Sequence, residues 1–226
     1  MRSSEQPDKE IVVSGKLSPR SLGVVIILGA VWGLAEAGLG LGLKSCASLA
    51  SGSIMTSVAF FFIAASWSRS RTMAALPLLV IITGGFKLFD ASLLSLPVRS
   101  GAVANPLFAF VAEGLAFALL FTVGRAAWKS RPGGQSALGG LAALTAVAAF
   151  PLVKFCTGIP ACTMPGTTTP LAWHYAPLAV GLSLLTVPLG ILVGKKLERR
   201  KAKLNYLVIP AAVAACLALM VLLRLV

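Results

Sequence analysis

The sequence predicts an all-α, polytopic transmembrane helix bundle of about seven spans, a six-helix core plus one. Three observations predict it. Apolar residues make up 57% of the 226 residues, and they gather into runs of about 20 or more, the length that crosses a bilayer as a helix. Only 12% of residues are charged, against about 25% in a soluble domain, and the mean hydropathy is +0.90. The cations lie in alternate loops rather than scattered along the chain. The polar segments between the apolar runs are too short to fold into a soluble catalytic domain.

Taken in order, residues 1–20 are polar and mixed in charge and read as a disordered cytoplasmic tail. Residues 21–226 form a single transmembrane domain. The first span, Ser21–Leu43, carries Gly29-xxx-Gly33 and Gly38-xxx-Gly42, small-residue ridges that let another helix approach closely. A basic start followed by Leu22–Leu34 and Ala35-Glu36-Ala37 also fits a secretory signal loosely. The three acids of the tail and the apolar continuation to Leu43 argue for a retained span. Ala50–Trp67 is the second span and Met73–Leu96 the third. The fourth is Ala102–Val123, the fifth Leu138–Phe155, the sixth Leu171–Val193 and the seventh Leu204–Leu223. Pro77, Gly84-Gly85, Pro106, Pro151, Pro188 and Pro210 interrupt them, as membrane helices tolerate.

Orientation follows from the loops. With the N-terminus inside, the inner segments hold fifteen Lys and Arg and the outer ones three: Lys44, Arg99 and Arg224. The positive-inside rule then predicts a multi-pass cell-membrane protein, N-terminus cytoplasmic and C-terminus outside. Trp67, Trp128 and Tyr206 fall at the inner boundary and Trp173 and Tyr175 at the outer one, as an aromatic belt requires. The net charge of +13 is accounted for by these flanking cations facing the anionic lipid of the bilayer, so nucleic acid is not an expected partner. Ala35-Glu36-Ala37-Gly38-Leu39 echoes Ala112-Glu113-Gly114-Leu115 on spans of opposite direction, which suggests a 3+3 inverted repeat.

Charge within a span costs at least a few kcal/mol and marks a candidate site. Glu36, Lys87, Asp90, Glu113 and Lys154 are such residues, and His174 opens the sixth span. With alternating span directions they all fall in the outer half or at the midplane. The expectation is a polar cavity lined by the first, third, fourth, fifth and sixth spans. Lys87 and Asp90 are one turn apart and share a face, so they either neutralise each other or contact a ligand. Glu36 and Glu113 have no cation on their own helices. They meet Lys87 or Lys154 across the bundle, stay protonated, or bind a cationic or hydrogen-bonding ligand. Trp32, four residues before Glu36, can stack on a ligand or pack in the core. Lys154 either enters the cavity or snorkels to the interface. Cys156 and Cys162 flank a Gly/Pro loop on the outer, oxidising side, where a disulfide is the expectation. The alternative there is a soft-metal site with Met164 and His174. No zinc-type spacing, phosphate-binding loop, serine elbow or His-Glu-x-x-His is present, so no enzyme, metal or cofactor is expected.

Gly84-Gly85-Phe86-Lys87-Leu88, Asn105-Pro106 leading into Ala112-Glu113-Gly114-Leu115-Ala116-Phe117, and the small-residue ridge of the first span resemble the substrate-binding (S) components of energy-coupling-factor transporters. The resemblance is one of pattern and covers the first six spans; the seventh departs from it. It implies a small-solute uptake subunit with its ligand pocket in the outer half, partnered by separate membrane coupling and ATPase subunits. The other readings are an ion- or proton-coupled carrier, a structural or assembly subunit, and a thiol-redox or metal-handling protein.

Overall fold

A computed structural model describes residues 17–40, 49–124, 132–199 and 207–225. Residues 1–16 of the expected tail lie outside the described residues, as do Lys44, Trp128 and Tyr206. The described residues include seven helical spans, each long and apolar enough to cross a membrane. The protein is an all-α integral membrane bundle.

The first helix, α1 (Pro19–Leu39), starts earlier than the expected tail boundary. Ser18 caps it, accepting from the Ser21 amide at 3.2 Å, and Pro19 supplies the fixed φ suited to a first turn. Next come α2 (Leu49–Ser70), α3 (Ala75–Leu93) and α4 (Gly101–Val123). The fifth span is broken. Its main part is α5 (Pro132–Ala149), followed by a 3-10 turn at Phe150–Leu152 and a short helix α6 (Val153–Thr157). Pro151 sits in that turn, where its missing amide and fixed φ interrupt the α-helical ladder. The sixth span, α7 (Leu171–Arg199), is longer than predicted. At 1.5 Å per residue it runs about 43 Å, so its basic last turns extend beyond a hydrocarbon core of about 30 Å. There Arg71 and Glu198 form a half-exposed ion pair at 3.7 Å. The last span is α8 (Val208–Leu225).

In lipid the apolar faces of helices are not driven together by water, so association depends on close packing and polar contacts. The chain supplies both. Gly29 and Gly33 of α1 lie against Ile82 and Phe86 of α3, and the Phe86 side chain occupies the space a Cβ at Gly33 would need. The neighbour of the first ridge is therefore internal. Thr83 donates from α3 to the Gly29 carbonyl at 3.3 Å across the same interface.

The most extensive interface joins α2 to α7. Gly190 and Gly194 of α7 press on the Phe61 and Ala65 carbonyls of α2. Ser68 donates to Ile191 O at 3.0 Å, and Ser53 to Tyr175 O at 3.2 Å. α5 joins the other flank of α7 through Gly139 and Gly140. Trp32, Phe60, Trp67, Phe117 and Phe121 fill the centre. Trp67 is thus a core residue stacked edge-on to Phe117 and Phe121, not a member of an interfacial belt. Trp173 is exposed, as a belt residue would be.

Two features bear on the expected symmetry. α1 packs closely on α3, whereas α4 and α7, the corresponding pair of the second half, share no comparable interface. The packing of the two halves therefore does not repeat. α8 stands at the edge, touching α1 and α3 through Cys216 and Met220.

The α2–α7 interface yields the first prediction. Gly190→Ala or Gly194→Ala places a methyl against backbone that cannot yield, and overpacking of this kind costs about 1–3 kcal/mol. Thermal unfolding in detergent should show a lowered midpoint for both. Gly85→Ala, at a site with open space around it, should unfold like the parent.

Candidate functional site

A partly enclosed cavity of about 160 Å³ lies at one end of the bundle. Helix directions alternate, so the C-terminal halves of α1 and α3 meet the N-terminal halves of α4 and α7 there. Glu36, Lys87, Asp90 and Glu113 line it together. The spans that the sequence picked out as charged do converge. Two contributors were not anticipated: α2 provides Gly52, Met55 and Thr56, and α8 provides Arg224. The fifth span adds only Phe150, from the turn that Pro151 creates.

The charges fall into two groups. Asp90 is 1% exposed and is held mainly by Arg224, not by its helical neighbour. Arg224 Nε donates to Asp90 Oδ1 at 2.7 Å and its second nitrogen to Oδ2 at 2.9 Å. This is the two-pronged geometry in which a guanidinium binds a carboxylate best. The same nitrogen reaches the Ala37 carbonyl at 3.3 Å, so α8, α3 and α1 meet at one side chain. Lys87 Nζ lies farther off, 3.5 Å from Asp90 Oδ2. The sequence reading assigned Arg224 to the outer loop as a topology residue. Its position in the last turn of an otherwise apolar helix was the available signal.

Glu36 and Glu113 form the second group, 2% and 4% exposed. Trp32 Nε1 donates to Glu36 Oε1 at 3.3 Å. Trp32 itself is fully buried, stacked with Phe62 and edge-on to Phe110. It is a core residue that orients Glu36 from behind. The Thr56 hydroxyl approaches Glu113, and the two carboxyls lie near enough to interact through space, as Lys87 and Glu36 do. Glu36 Oε2, Glu113 Oε2 and Asn105 Oδ1 are buried without a hydrogen-bond partner among the described residues. Burying such atoms unpaired costs roughly 1–3 kcal/mol each, more when charged.

Two expected participants are elsewhere. Lys154 is exposed and outside the cavity lining. His174 is exposed, and its Nε2 pairs with the Thr169 hydroxyl at 2.8 Å. Tyr175, assigned to the outer belt, is instead buried in the cavity wall. Its ring lies against Gly52, where a Cβ would collide with it.

The cysteines need a correction. Cys162 is disulfide-bonded while Cys156 is free and exposed, so these two do not pair with each other. The partner of Cys162 lies outside the described residues. The soft-metal set of Cys156, Cys162, Met164 and His174 is not assembled either, since Cys162 is oxidised and His174 bonds Thr169. No cluster of three or more potential metal ligands occurs among the described residues.

No family model, curated protein or solved structure matches the chain. Fold and site define its class: an all-α integral membrane protein with a partly enclosed, charge-lined cavity at one end.

Two predictions follow from this geometry. Arg224→Ala strands Asp90 with a weak partner, and breaking a buried pair by removing one member costs about 3–5 kcal/mol. Thermal unfolding should show a large destabilisation, and the double variant Asp90→Ala/Arg224→Ala should recover part of it. Non-reducing peptide mapping after alkylation of the folded protein should find Cys156 modified and Cys162 in a linked peptide.

Proposed function

We propose that this protein is the solute-binding subunit of a small-solute uptake transporter. It lies in the cell membrane, N-terminus cytoplasmic and C-terminus outside, and captures its solute from the outer face. One observation carries the reading: two buried carboxyls, Glu36 and Glu113, each with an oxygen that has no hydrogen-bond partner among the described residues, line a cavity large enough for a small molecule. Intramembrane ionisable groups turned into a cavity mark a substrate or ion path. The orientation draws support from the fifteen-to-three distribution of loop cations. It also draws support from the bonded Cys162 in the cavity wall, since disulfides persist on the oxidising side. The chain has no phosphate-binding loop, so energy is supplied by separate membrane coupling and ATPase subunits. The resemblance to energy-coupling-factor S components points the same way.

A second reading is favoured by the proximity of the two acids. A carboxyl pair that shares one proton suits a proton-coupled carrier. The two readings separate in liposomes: a carrier moves solute alone under a pH gradient, a subunit does not.

Native mass spectrometry of gently solubilised protein should show a bound small solute together with partner subunits. Glu36→Ala and Glu113→Ala should abolish the solute peak while gel filtration and thermal unfolding stay close to the parent. Unchanged solute binding in both variants would falsify the reading. Copurification with a large complex that tolerates both substitutions would instead mark a structural or assembly subunit.

A further inference from the structure

The cavity's hydrogen-bonding atoms are not a balanced set. Glu36 Oε2, Glu113 Oε2 and Asn105 Oδ1 are all acceptors, and all three residues are nine-tenths or more buried in the cavity wall. The guanidinium in the cavity wall is already engaged. Both carboxylate-facing nitrogens of Arg224 are on Asp90, and one also binds the Ala37 carbonyl. Lys87 leans on Asp90 from 3.5 Å. A ligand that completes this site must therefore bring donors.

Charge gives the same answer independently. Asp90 and Arg224 neutralise each other. What remains facing the cavity among the described residues is one cation, Lys87, against two carboxyls, Glu36 and Glu113. Ionised carboxylates are costly in a low-dielectric interior unless paired, so with both acids ionised the described cavity wall is short of one positive charge, which a cationic ligand supplies. A bare metal ion fits poorly, because no cluster of three or more metal ligands occurs among the described residues. Much of the remaining wall is apolar or aromatic, including Phe110, Phe150, Met55 and Tyr175. Aromatic faces attract cations as well as flat apolar groups.

We infer that the cavity takes a small organic monocation with a flat or apolar body, its N–H donors shared between Glu36 and Glu113 and its body against Phe110 and Tyr175. This inference rests on the reading of the cavity as a solute-binding site and names the class of solute. Asn105 Oδ1 accepts a further donor from the same ligand. An anionic solute finds no free cation cluster among the described residues, and a neutral one requires one of the two carboxyls to keep a proton.

The test uses three probes of nearly one shape: benzamidine, benzamide and benzoate, differing chiefly in charge. Each is titrated calorimetrically into the purified full-length protein in detergent at pH 7, with scanning fluorimetry alongside. Benzamidine should bind at least about tenfold more tightly than benzamide, and benzoate should give no heat of binding. The isosteric variants Glu36→Gln and Glu113→Gln should each weaken benzamidine about tenfold or more and weaken benzamide by much less.

Benzoate binding as tightly as benzamidine overturns the inference, as does benzamidine binding that neither variant weakens. Stabilisation by manganese chloride with none by benzamidine overturns it too. The comparison on the parent protein decides the matter even where a variant fails to fold. Failure of this inference is distinguishable from failure of the transporter reading. If native mass spectra show a neutral or anionic solute that Glu36→Ala releases, only the cation is wrong. If no solute is seen and no probe binds, both readings fall.

Discussion

The ion pair between Asp90 and Arg224 is the interaction on which the charged end of this bundle depends. A carboxylate 1% exposed within a helix bundle is tolerable only if its oxygens are fully engaged. Arg224 does so with both prongs and adds a bond to the Ala37 carbonyl. Because these three groups come from α3, α8 and α1, one guanidinium fixes the position of an edge helix that otherwise buries little. It also decides what Lys87 does. With Asp90 satisfied, Lys87 is left facing the cavity, near enough to act on Glu36 through space.

From that follows the division of labour among the acids. Asp90 is structural, the hub of a closed pair. Glu36 and Glu113 are open, each with one oxygen engaged or approached by a neighbour and one without. The neighbours are themselves well supported. Trp32 is clamped between Phe62 and Phe110, so the carboxyl it orients is pre-positioned. Preorganised acceptors in a partly enclosed cavity bind a donor more strongly than the same groups fully in water would, since water screens them and must be displaced. The α2–α7 interface supports the opposite wall, where the Tyr175 ring lies against Gly52 and Ser53 donates to the Tyr175 carbonyl. The cavity is thus framed on one side by an ion pair and on the other by close helix packing.

Much of the fold was legible in the chain itself. Seven spans follow from run length and hydropathy alone, because a helix is the simplest way to hide backbone polar groups in lipid. Convergence of Glu36, Lys87, Asp90 and Glu113 followed from span direction, since alternating spans bring opposite halves to one level. The first-span ridge at Gly29 and Gly33 was visible from its spacing. The ridge at Gly190 and Gly194 has the same spacing, but spacing alone does not say which neighbour such a ridge meets.

What the sequence by itself determined is therefore the one-dimensional part: class, span number, and the depth of each ionisable residue. Depth along a span is set by counting residues at 1.5 Å each. Only the tertiary structure decided which side of each helix faces which neighbour. Rotation and lateral placement depend on how all the helices interlock, and no single span's periodicity encodes that. So Tyr175 and Trp67 moved from an interfacial belt to a cavity wall and a core, and Lys154 fell outside the cavity. Cys162 found a partner other than Cys156. Arg224, at the far end of the chain, closed on Asp90 and thereby left Glu36 and Glu113 as the cavity's unpaired acids.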